Sequence, residues 1–353
     1  MRITGAIIGV LFALLIMVGC TTPHQPPEPM TLDVPADWPP LLMPEENPLT
    51  EEGVALGRRL FYDPILSKDS TVSCATCHQQ YLAFTDGRPL AVGVDGRHGR
   101  RSAMSLANVG FQYRGLFWDG RVPDLETQSL HPVTDPNEMN NDWSEVVERL
   151  RQHADYPEFF RAAFGDQPID SVHVGRALAQ FERTLISADS RYDQMTRGEI
   201  NFTLAEQRGW AIFFDASMRL PHAECNHCHV DPFFANPQFQ NNGLAKTTSK
   251  SGLYDKGRGD VTGNQYDNGK FKVPTLRNIA LTAPYMHDGR FATLEEVLEH
   301  YDQGGHAGIN VSPNVRPLHL SAEDKQDLLA FLHSLTDSTF LINEAYRNPF
   351  SYE

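Results

Sequence analysis

Two copies of one five-residue pattern carry the most specific chemistry in this sequence. Residues 74–78 read Cys-Ala-Thr-Cys-His and residues 225–229 read Cys-Asn-His-Cys-His, which together use four of the five cysteines in the chain. Two thiols three positions apart can form thioethers with the two vinyl groups of one porphyrin, and the adjacent imidazole can bind the iron. Zinc half-sites or a redox dithiol are the alternatives, but neither requires a His after both Cys pairs. The pattern predicts two covalently bound c-type hemes, attached at Cys74, Cys77, Cys225 and Cys228, with His78 and His229 as iron ligands.

The fifth cysteine follows an apolar N-terminal stretch. Residues 7–18 are almost wholly apolar, and Gly19 precedes Cys20. This arrangement is typical of a lipoprotein signal peptide, so residues 1–19 are predicted to be removed and Cys20 to carry the lipid. A plain membrane anchor is the alternative, although a bilayer span takes about 20 apolar residues. The predicted location is the periplasm or the cell surface, with the membrane reached through the lipid anchor only.

Proline content and the repeated motif divide the rest of the chain. Prolines recur from Pro23 to Pro48 without a periodic apolar pattern, which predicts an extended tether over residues 20–47. The duplication then predicts two similar heme domains, an N-terminal one at 48–200 and a C-terminal one at 201–340. Residues 341–353 are left as a tail.

A similar helix is predicted before each motif. One begins after Thr50 and carries Gly57, and the other begins with the capping box of Thr203 and Glu206 and carries Gly209. Apolar residues at three- and four-residue spacing predict further helices at 143–152, 169–186, 294–301 and 321–335. Residues 87–101 and 232–269 are rich in Gly, Pro and Asn and are predicted to be loops. The expected fold is mostly α, with two cytochrome c-like domains, long loops and hemes flanking the domain interface.

Three further segments resemble one bacterial family. Residues 117–121 (FWDGR), 274–278 (PTLRN) and 281–289 (LTAPYMHDG) are similar to signature segments of the diheme cytochrome c peroxidases and their relative MauG, which oxidises tryptophans of a partner protein to a quinone cofactor. The resemblance extends over about residues 48–340. It implies that residues 48–200 form the peroxidatic heme domain, where peroxide binds at the heme whose iron His78 would hold. It also implies that residues 201–340 form the electron-transfer heme domain.

The resemblance also implies a distal pocket at that heme. The family has a Gln and a Glu ten residues apart, with a Pro four residues after the Gln, and Gln128, Pro132 and Glu138 match this spacing. Glu138 would move a proton between the two peroxide oxygens, and Gln128 would orient the peroxide. Without the family spacing, both would be read as solvated loop residues.

Trp118 stands ten residues before Gln128, where the family places an indole between the two hemes. There it would shorten the path for electron transfer or be oxidised transiently itself. A large side chain that fills the core is the alternative, and both can be true. Trp38, Trp143 and Trp210 have no such register and are predicted to be packing residues.

The second axial ligand of the C-terminal heme separates the two branches of the family. Peroxidases that take electrons from cytochrome c have a Met fourteen residues after the His of the Tyr-x-His-Asp-Gly segment, whereas MauG has a Tyr. Fourteen residues after His287 stands Tyr301. A tyrosine oxygen lowers the potential of the iron relative to Met. Met286 and His300 are the alternative ligands.

Two family features match only in part. The family often binds Ca²⁺ between the hemes through an Asn and the backbone of a Thr and a Pro; Thr282 and Pro284 match, but Ser102 stands in the Asn position and is a weaker ligand. Several members also have a His that blocks the resting peroxidatic heme. His98 is not at the matching distance from the Trp, so the N-terminal heme is expected to be open.

The resulting hypothesis is a MauG-like enzyme that uses hydrogen peroxide to oxidise Trp or Tyr residues of a partner protein. The alternative is a peroxidase that receives electrons from a small redox donor protein, a soluble cytochrome c or a cupredoxin. A purely electron-carrying cytochrome is disfavoured by Gln128 and Glu138. The formal net charge of −15 at pH 7 disfavours nucleic acid as a partner and permits docking of a basic protein.

Overall fold

The computed structural model describes residues 26–244 and 255–350, and helices dominate this part of the chain. The predicted mostly α fold is therefore confirmed. Residues 1–19 and Cys20 lie outside the described residues. The described α-helices are α1 (Glu51–Tyr62), α2 (Cys74–Cys77), α3 (Leu125–Gln128), α4 (His131–Thr134), α5 (Trp143–Gln152), α6 (Tyr156–Phe164), α7 (Ser171–Arg183), α8 (Arg191–Thr196), α9 (Leu204–Phe213), α10 (Arg258–Thr262), α11 (Leu294–Asp302), α12 (Ala322–His333) and α13 (Ser338–Ile342).

Shorter elements connect these helices. The 3₁₀-helices of the described residues are Pro64–Leu66, Gln80–Leu82, Val94–Gly96, Val109–Phe111, Cys225–His227, Gln265–Asp267, Ile279–Leu281 and Glu344–Tyr346. The strands β1 (Phe239–Gln240) and β2 (Phe271–Lys272) pair antiparallel, with Phe239 opposite Lys272. None of the helices in the described ranges is long and apolar enough to cross a membrane.

Two helix pairs repeat the same close approach. Helix α1 packs on α7, and α9 packs on α12. A Cβ atom added to Gly57 would lie 1.9 Å from the carbonyl oxygen of Ala177, and one added to Gly209 would lie 1.9 Å from that of Asp327. Each glycine therefore lets its helix touch the backbone of the partner helix. The helices predicted before each heme motif occupy equivalent places in the two halves of the protein.

Each helix pair lies in its own hydrophobic core. The first core is built mainly from residues between Leu56 and Leu185. The second extends from Tyr192 to Leu335. The chain then returns to the first core, where Phe340 and Tyr346 are buried. The segment predicted as a tail from residue 341 thus includes a side chain of the first core.

The proline-rich segment differs from its prediction over residues 26–47. The Trp38 ring contacts Phe111 at 5.6 Å and Phe233 at 4.9 Å between centroids, and the Arg277 guanidinium lies over it at 4.9 Å. Asn47 is buried and donates a hydrogen bond to Glu126. This part of the chain is docked on both halves of the protein and is not a free tether. The contacts come from single aromatic and polar side chains, which a search for periodic apolar residues does not detect.

We expect Gly57→Ala to destabilise the protein, because the new methyl group would overlap the backbone carbonyl of Ala177. Overpacking of this kind costs about 1–3 kcal/mol. The control is Gly99→Ala, whose methyl group would meet its nearest neighbour, the Ala91 oxygen, at an ordinary 3.6 Å. The measurement is the Tm of each heme-loaded variant by circular dichroism. Equal Tm values for the two variants would contradict the close helix contact.

Candidate functional site

The first Cys-x-x-Cys-His motif forms a short helix and the residue that caps it. Cys74 and Cys77 lie on α2, and His78 follows directly. The Nδ1 atom of His78 lies 2.8 Å from the carbonyl oxygen of Phe84. A carbonyl can only accept, so this contact places the proton on Nδ1 and makes Nε2 the nitrogen that can bind a metal. Burial lowers the pKa of His78, which keeps the imidazole in the neutral form that metals bind.

The second motif repeats this geometry. The Nδ1 atom of His229 lies 3.0 Å from the carbonyl oxygen of Phe234, and burial lowers the pKa of His229 to about 4. Cys225 and Cys228 are not joined by a disulfide, and neither are the two cysteines of the first motif. Burial also raises the pKa of Cys77 to about 12. Two thiols and one neutral, oriented imidazole at each motif are the donor set that a c-type heme requires.

Each motif faces a cavity. The first has a volume of about 380 Å³ and is lined by Cys77 and His78. The second has a volume of about 200 Å³ and is lined by Cys225, Cys228 and His229. The residues present therefore fit one heme at each motif.

The three predicted distal residues line the first cavity together with His78. Gln128 is the last residue of α3, Pro132 lies in α4, and Glu138 follows in a turn where its N–H donates to the Asp135 carbonyl at 3.0 Å. Burial and the Asp135 carboxylate, opposed by Arg121, together raise the pKa of Glu138 to about 7. A carboxyl group with such a pKa can both accept and donate a proton near neutral pH.

Trp118 lines both cavities. Its indole Nε1 donates to the carbonyl oxygen of Ser102 at 3.0 Å, and its own carbonyl accepts from the Lys272 N–H at 2.7 Å. The other tryptophans, Trp38, Trp143 and Trp210, are absent from the walls of these two cavities. Trp118 therefore lies in the wall between the two cavities, and its role between two hemes stays a prediction.

Two candidate iron ligands share the wall of the second cavity. Tyr301 and Met286 both line it. The side-chain amide of Asn242 lies 3.2 Å from the Tyr301 hydroxyl and 3.4 Å from the Met286 sulfur. His300 is turned elsewhere, because its Nε2 donates to the Asn242 carbonyl at 2.9 Å. Asn242 was not predicted; it lies in a long loop without periodicity, so the sequence carried no signal for it.

Comparison with known proteins agrees with this geometry. The sequence model of the di-haem cytochrome c peroxidase family matches residues 51–201. The methylamine utilization protein MauG of Methylorubrum extorquens is 40% identical over 299 residues, which are 83% of this chain and 80% of that protein. The chain belongs to the diheme cytochrome c peroxidase and MauG family. It is therefore a heme-dependent peroxidase-type oxidoreductase, and the family implies two hemes.

Relatives in both branches of the family are similar to this chain. The cytochrome-c peroxidase IdrP1 of a Pseudomonas species is 33% identical over 346 residues, which cover 90% of this chain and 89% of that protein. Among solved structures, a MauG-like protein associated with microbial copper homeostasis is 40% identical with a TM-score of 0.84, covering 91% of this chain and all of that one. Sequence similarity alone therefore does not separate a MauG-like diheme enzyme from a peroxidase.

The calcium residues implied by the diheme family are hydrogen bonded to the backbone. The Ser102 hydroxyl donates to the Met286 carbonyl at 2.9 Å, and the Thr282 hydroxyl donates to the Ile279 carbonyl at 3.3 Å. Pro284 follows a cis peptide bond. A Ca²⁺ ion at Ser102, Thr282 and Pro284 stays a prediction. His98 is exposed and is not among the residues that line the first cavity.

A separate group with metal-ligand spacing lies beside the second heme motif. The possible ligand atoms of Asp215, Glu224 and His227 lie within 4.8 Å of one another. Among the described residues, no other group of three His, Cys, Asp or Glu side chains is this close together. However, the Arg316 guanidinium already binds Glu224 at 2.6 Å, and His227 is exposed. The cluster is satisfied as a surface network of ion pairs.

Proposed function

We propose that this protein is a MauG-like oxidase, which uses hydrogen peroxide to remove electrons from a Trp or Tyr side chain of a partner protein. The observation that carries the proposal is Tyr301, whose hydroxyl is held by Asn242 in the cavity of the second heme motif. A Tyr oxygen in the axial position favours an oxidised iron, whereas Met favours a reduced one. A centre of that kind is suited to drawing electrons from a protein and not to receiving them from cytochrome c.

Peroxide would react in the first cavity. Cys74, Cys77 and His78 would hold a heme there, which would supply the iron chemistry of peroxide reduction. Glu138 would accept the proton of one peroxide oxygen and deliver it to the other, so that the second oxygen leaves as water. Gln128, which lines the same cavity, would donate a hydrogen bond that orients the peroxide. Overall, peroxide accepts two electrons and two protons and forms two waters, and the partner side chain loses two electrons.

Trp118 would carry electrons between the two centres, because it is the indole that lines both cavities. We expect Trp118→Phe to reduce partner modification at least tenfold while both hemes remain attached. The reason is that phenylalanine keeps most of the packing volume but is much harder to oxidise. Heme content by mass spectrometry and the rate of the first reaction with peroxide serve as controls. A variant that modifies the partner at the normal rate would exclude Trp118 from the path.

The experiment that tests the proposed function is the addition of one equivalent of H₂O₂ to the fully oxidised diheme protein, without any reductant, followed by EPR and Mössbauer spectroscopy. Rapid change at both heme centres supports the MauG-like oxidase. A protein that reacts only after one heme has been reduced contradicts it.

One observation favours a cytochrome c peroxidase as the second candidate. Met286 lines the same cavity as Tyr301 and its sulfur contacts the same amide. As the axial ligand, Met286 would give a high-potential heme that accepts electrons from a soluble cytochrome c or a cupredoxin. This candidate requires rapid oxidation of reduced horse cytochrome c or of a reduced cupredoxin by H₂O₂ in the presence of the enzyme. Turnover that remains undetectable with both donors would remove it.

The partner and the location complete the proposal. Because the similar MauG-like structure is associated with copper homeostasis, we propose a copper-handling protein as the partner whose aromatic residue is oxidised. Attachment of heme through thioethers takes place outside the bacterial cytoplasm, which agrees with a periplasmic or surface lipoprotein anchored through Cys20. Labelling with radioactive palmitate, compared between the natural chain and Cys20→Ser, tests the anchor.

A further inference from the structure

A lysine is buried where the two cavities come together. Lys272 is 6% exposed and lies on β2, directly opposite Phe239 of β1. Its backbone N–H donates to the Trp118 carbonyl at 2.7 Å. Lys272 lines both cavities, as Trp118 does. The strand therefore places Lys272 between the two cavities.

The charge of this ammonium is not balanced by the protein around it. Its Nζ donates to the side-chain oxygen of Gln112, a neutral group. No ion pair within 4.0 Å joins Nζ to a carboxylate of residues 26–244 or 255–350. Burial alone lowers the pKa of Lys272 to about 7, without a carboxylate to oppose the shift. An ammonium buried in this way is destabilising unless an anion accompanies it or it gives up its proton.

Other buried cations of the protein are paired. Arg277 forms two hydrogen bonds with Asp193, and Arg183 forms two with Glu126. Arg101, which lines the first cavity, binds Asp119 and Asp255. Lys272 is therefore unlike these arginines, because the part of the protein that the structure describes supplies no carboxylate beside it. An anion that enters the cavities would keep the Lys272 side chain in its charged form.

A heme brings carboxylates of the required kind. Each c-type porphyrin carries propionate groups, which remain ionised at neutral pH and need a donor when they are buried. The cavity walls present Lys272 to both heme motifs at once. We propose that the Lys272 ammonium binds a heme propionate carboxylate between the two cavities. This contact would join the porphyrin to β2, the strand whose backbone is hydrogen bonded to Trp118. Lys272 is a positioning residue in this role, since it acts on the cofactor and not on peroxide.

The proposal depends on the presence of both hemes but not on whether the enzyme is MauG-like or a peroxidase. We expect Lys272→Met to shift the propionate bending band in the resonance Raman spectrum, whereas Lys272→Arg keeps a charged donor and shifts it less. The loss of a nearby positive charge also makes reduction harder. We expect the equilibrium constant for reduction of at least one heme to fall tenfold or more, equivalent to 59 mV for one electron.

Lys270→Met is the matched control, because Lys270 lies two residues away, is paired with Asp267 and does not line either cavity. Unchanged propionate bands and potentials in a heme-loaded Lys272→Met variant would overturn the proposal. If that variant fails to bind heme, a crystal structure of the natural diheme protein tests the proposal instead, through the group found at the Lys272 Nζ atom. A propionate oxygen within hydrogen-bond distance of Nζ supports the proposal, and chloride or another inorganic anion at Nζ overturns it.

Discussion

Replacing Glu138 by Gln will slow the reaction of the diheme protein with H₂O₂ by about 10²–10⁴-fold, the usual contribution of a general acid–base group. Both hemes should remain attached, because Gln keeps the shape of the side chain. Burial holds the pKa of Glu138 at about 7, so the carboxyl is protonated below that pH and cannot accept the first proton. In the natural protein the rate should therefore rise with pH through about 7 and then level off.

Stopped-flow absorbance at a series of pH values gives both results in one measurement. In Glu138→Gln the reaction should be slow at every pH, and its rate should no longer rise near pH 7. Glu148→Gln is the control, since Glu148 is an exposed residue of α5. A Glu138→Gln variant that keeps both the natural rate and its rise near pH 7 would mean that another group moves the proton.

Replacing Tyr301 by Met will raise the reduction potential of the second heme and abolish modification of the partner. Axial ligands set heme potentials over a range of roughly 0.8 V, and a change from a hard oxygen to a thioether should give a shift on the order of 100 mV. The variant should also oxidise reduced cytochrome c with peroxide more readily than the natural protein. Spectroelectrochemical titration of the two hemes measures the shift directly.

Met286→Leu is the companion variant, because Met286 occupies the same cavity and contacts the same Asn242 amide. If Tyr301 is the ligand, Met286→Leu should leave the potential of the second heme nearly unchanged. The reverse pattern, in which Met286→Leu shifts the potential and Tyr301→Met does not, would favour the cytochrome c peroxidase.

Features written in local sequence were predictable. Helix α5 begins and ends at the predicted residues, and the capping box of Thr203 and Glu206 begins α9 as expected. The heme motifs could also be predicted from local sequence, because all the residues of each motif lie within five positions. The family spacing assigned Gln128 and Glu138 to one pocket, and both line the first cavity, although neither residue would have stood out by itself.

Features that depend on distant contacts were not predictable. Lys272 lies on a two-residue strand and Asn242 in irregular chain, and the role of each depends on cavities that residues far apart in sequence enclose. Proline content suggested a free segment before residue 48, whereas Trp38 is held by rings and a guanidinium from both halves of the protein. The composition of a segment indicates how it behaves in isolation. It does not indicate whether the rest of the protein has a surface that binds one of its tryptophans.

The docked segment around Trp38 sets how far the catalytic body could travel from a membrane. If Cys20 carries the anchor, six peptide steps join it to Pro26, the first described residue, and a chain of that length spans at most about 20 Å. A connection of this length would confine the enzyme to a thin layer next to the bilayer. Its encounters would then be restricted to proteins that themselves come within that layer, whether anchored or freely diffusing.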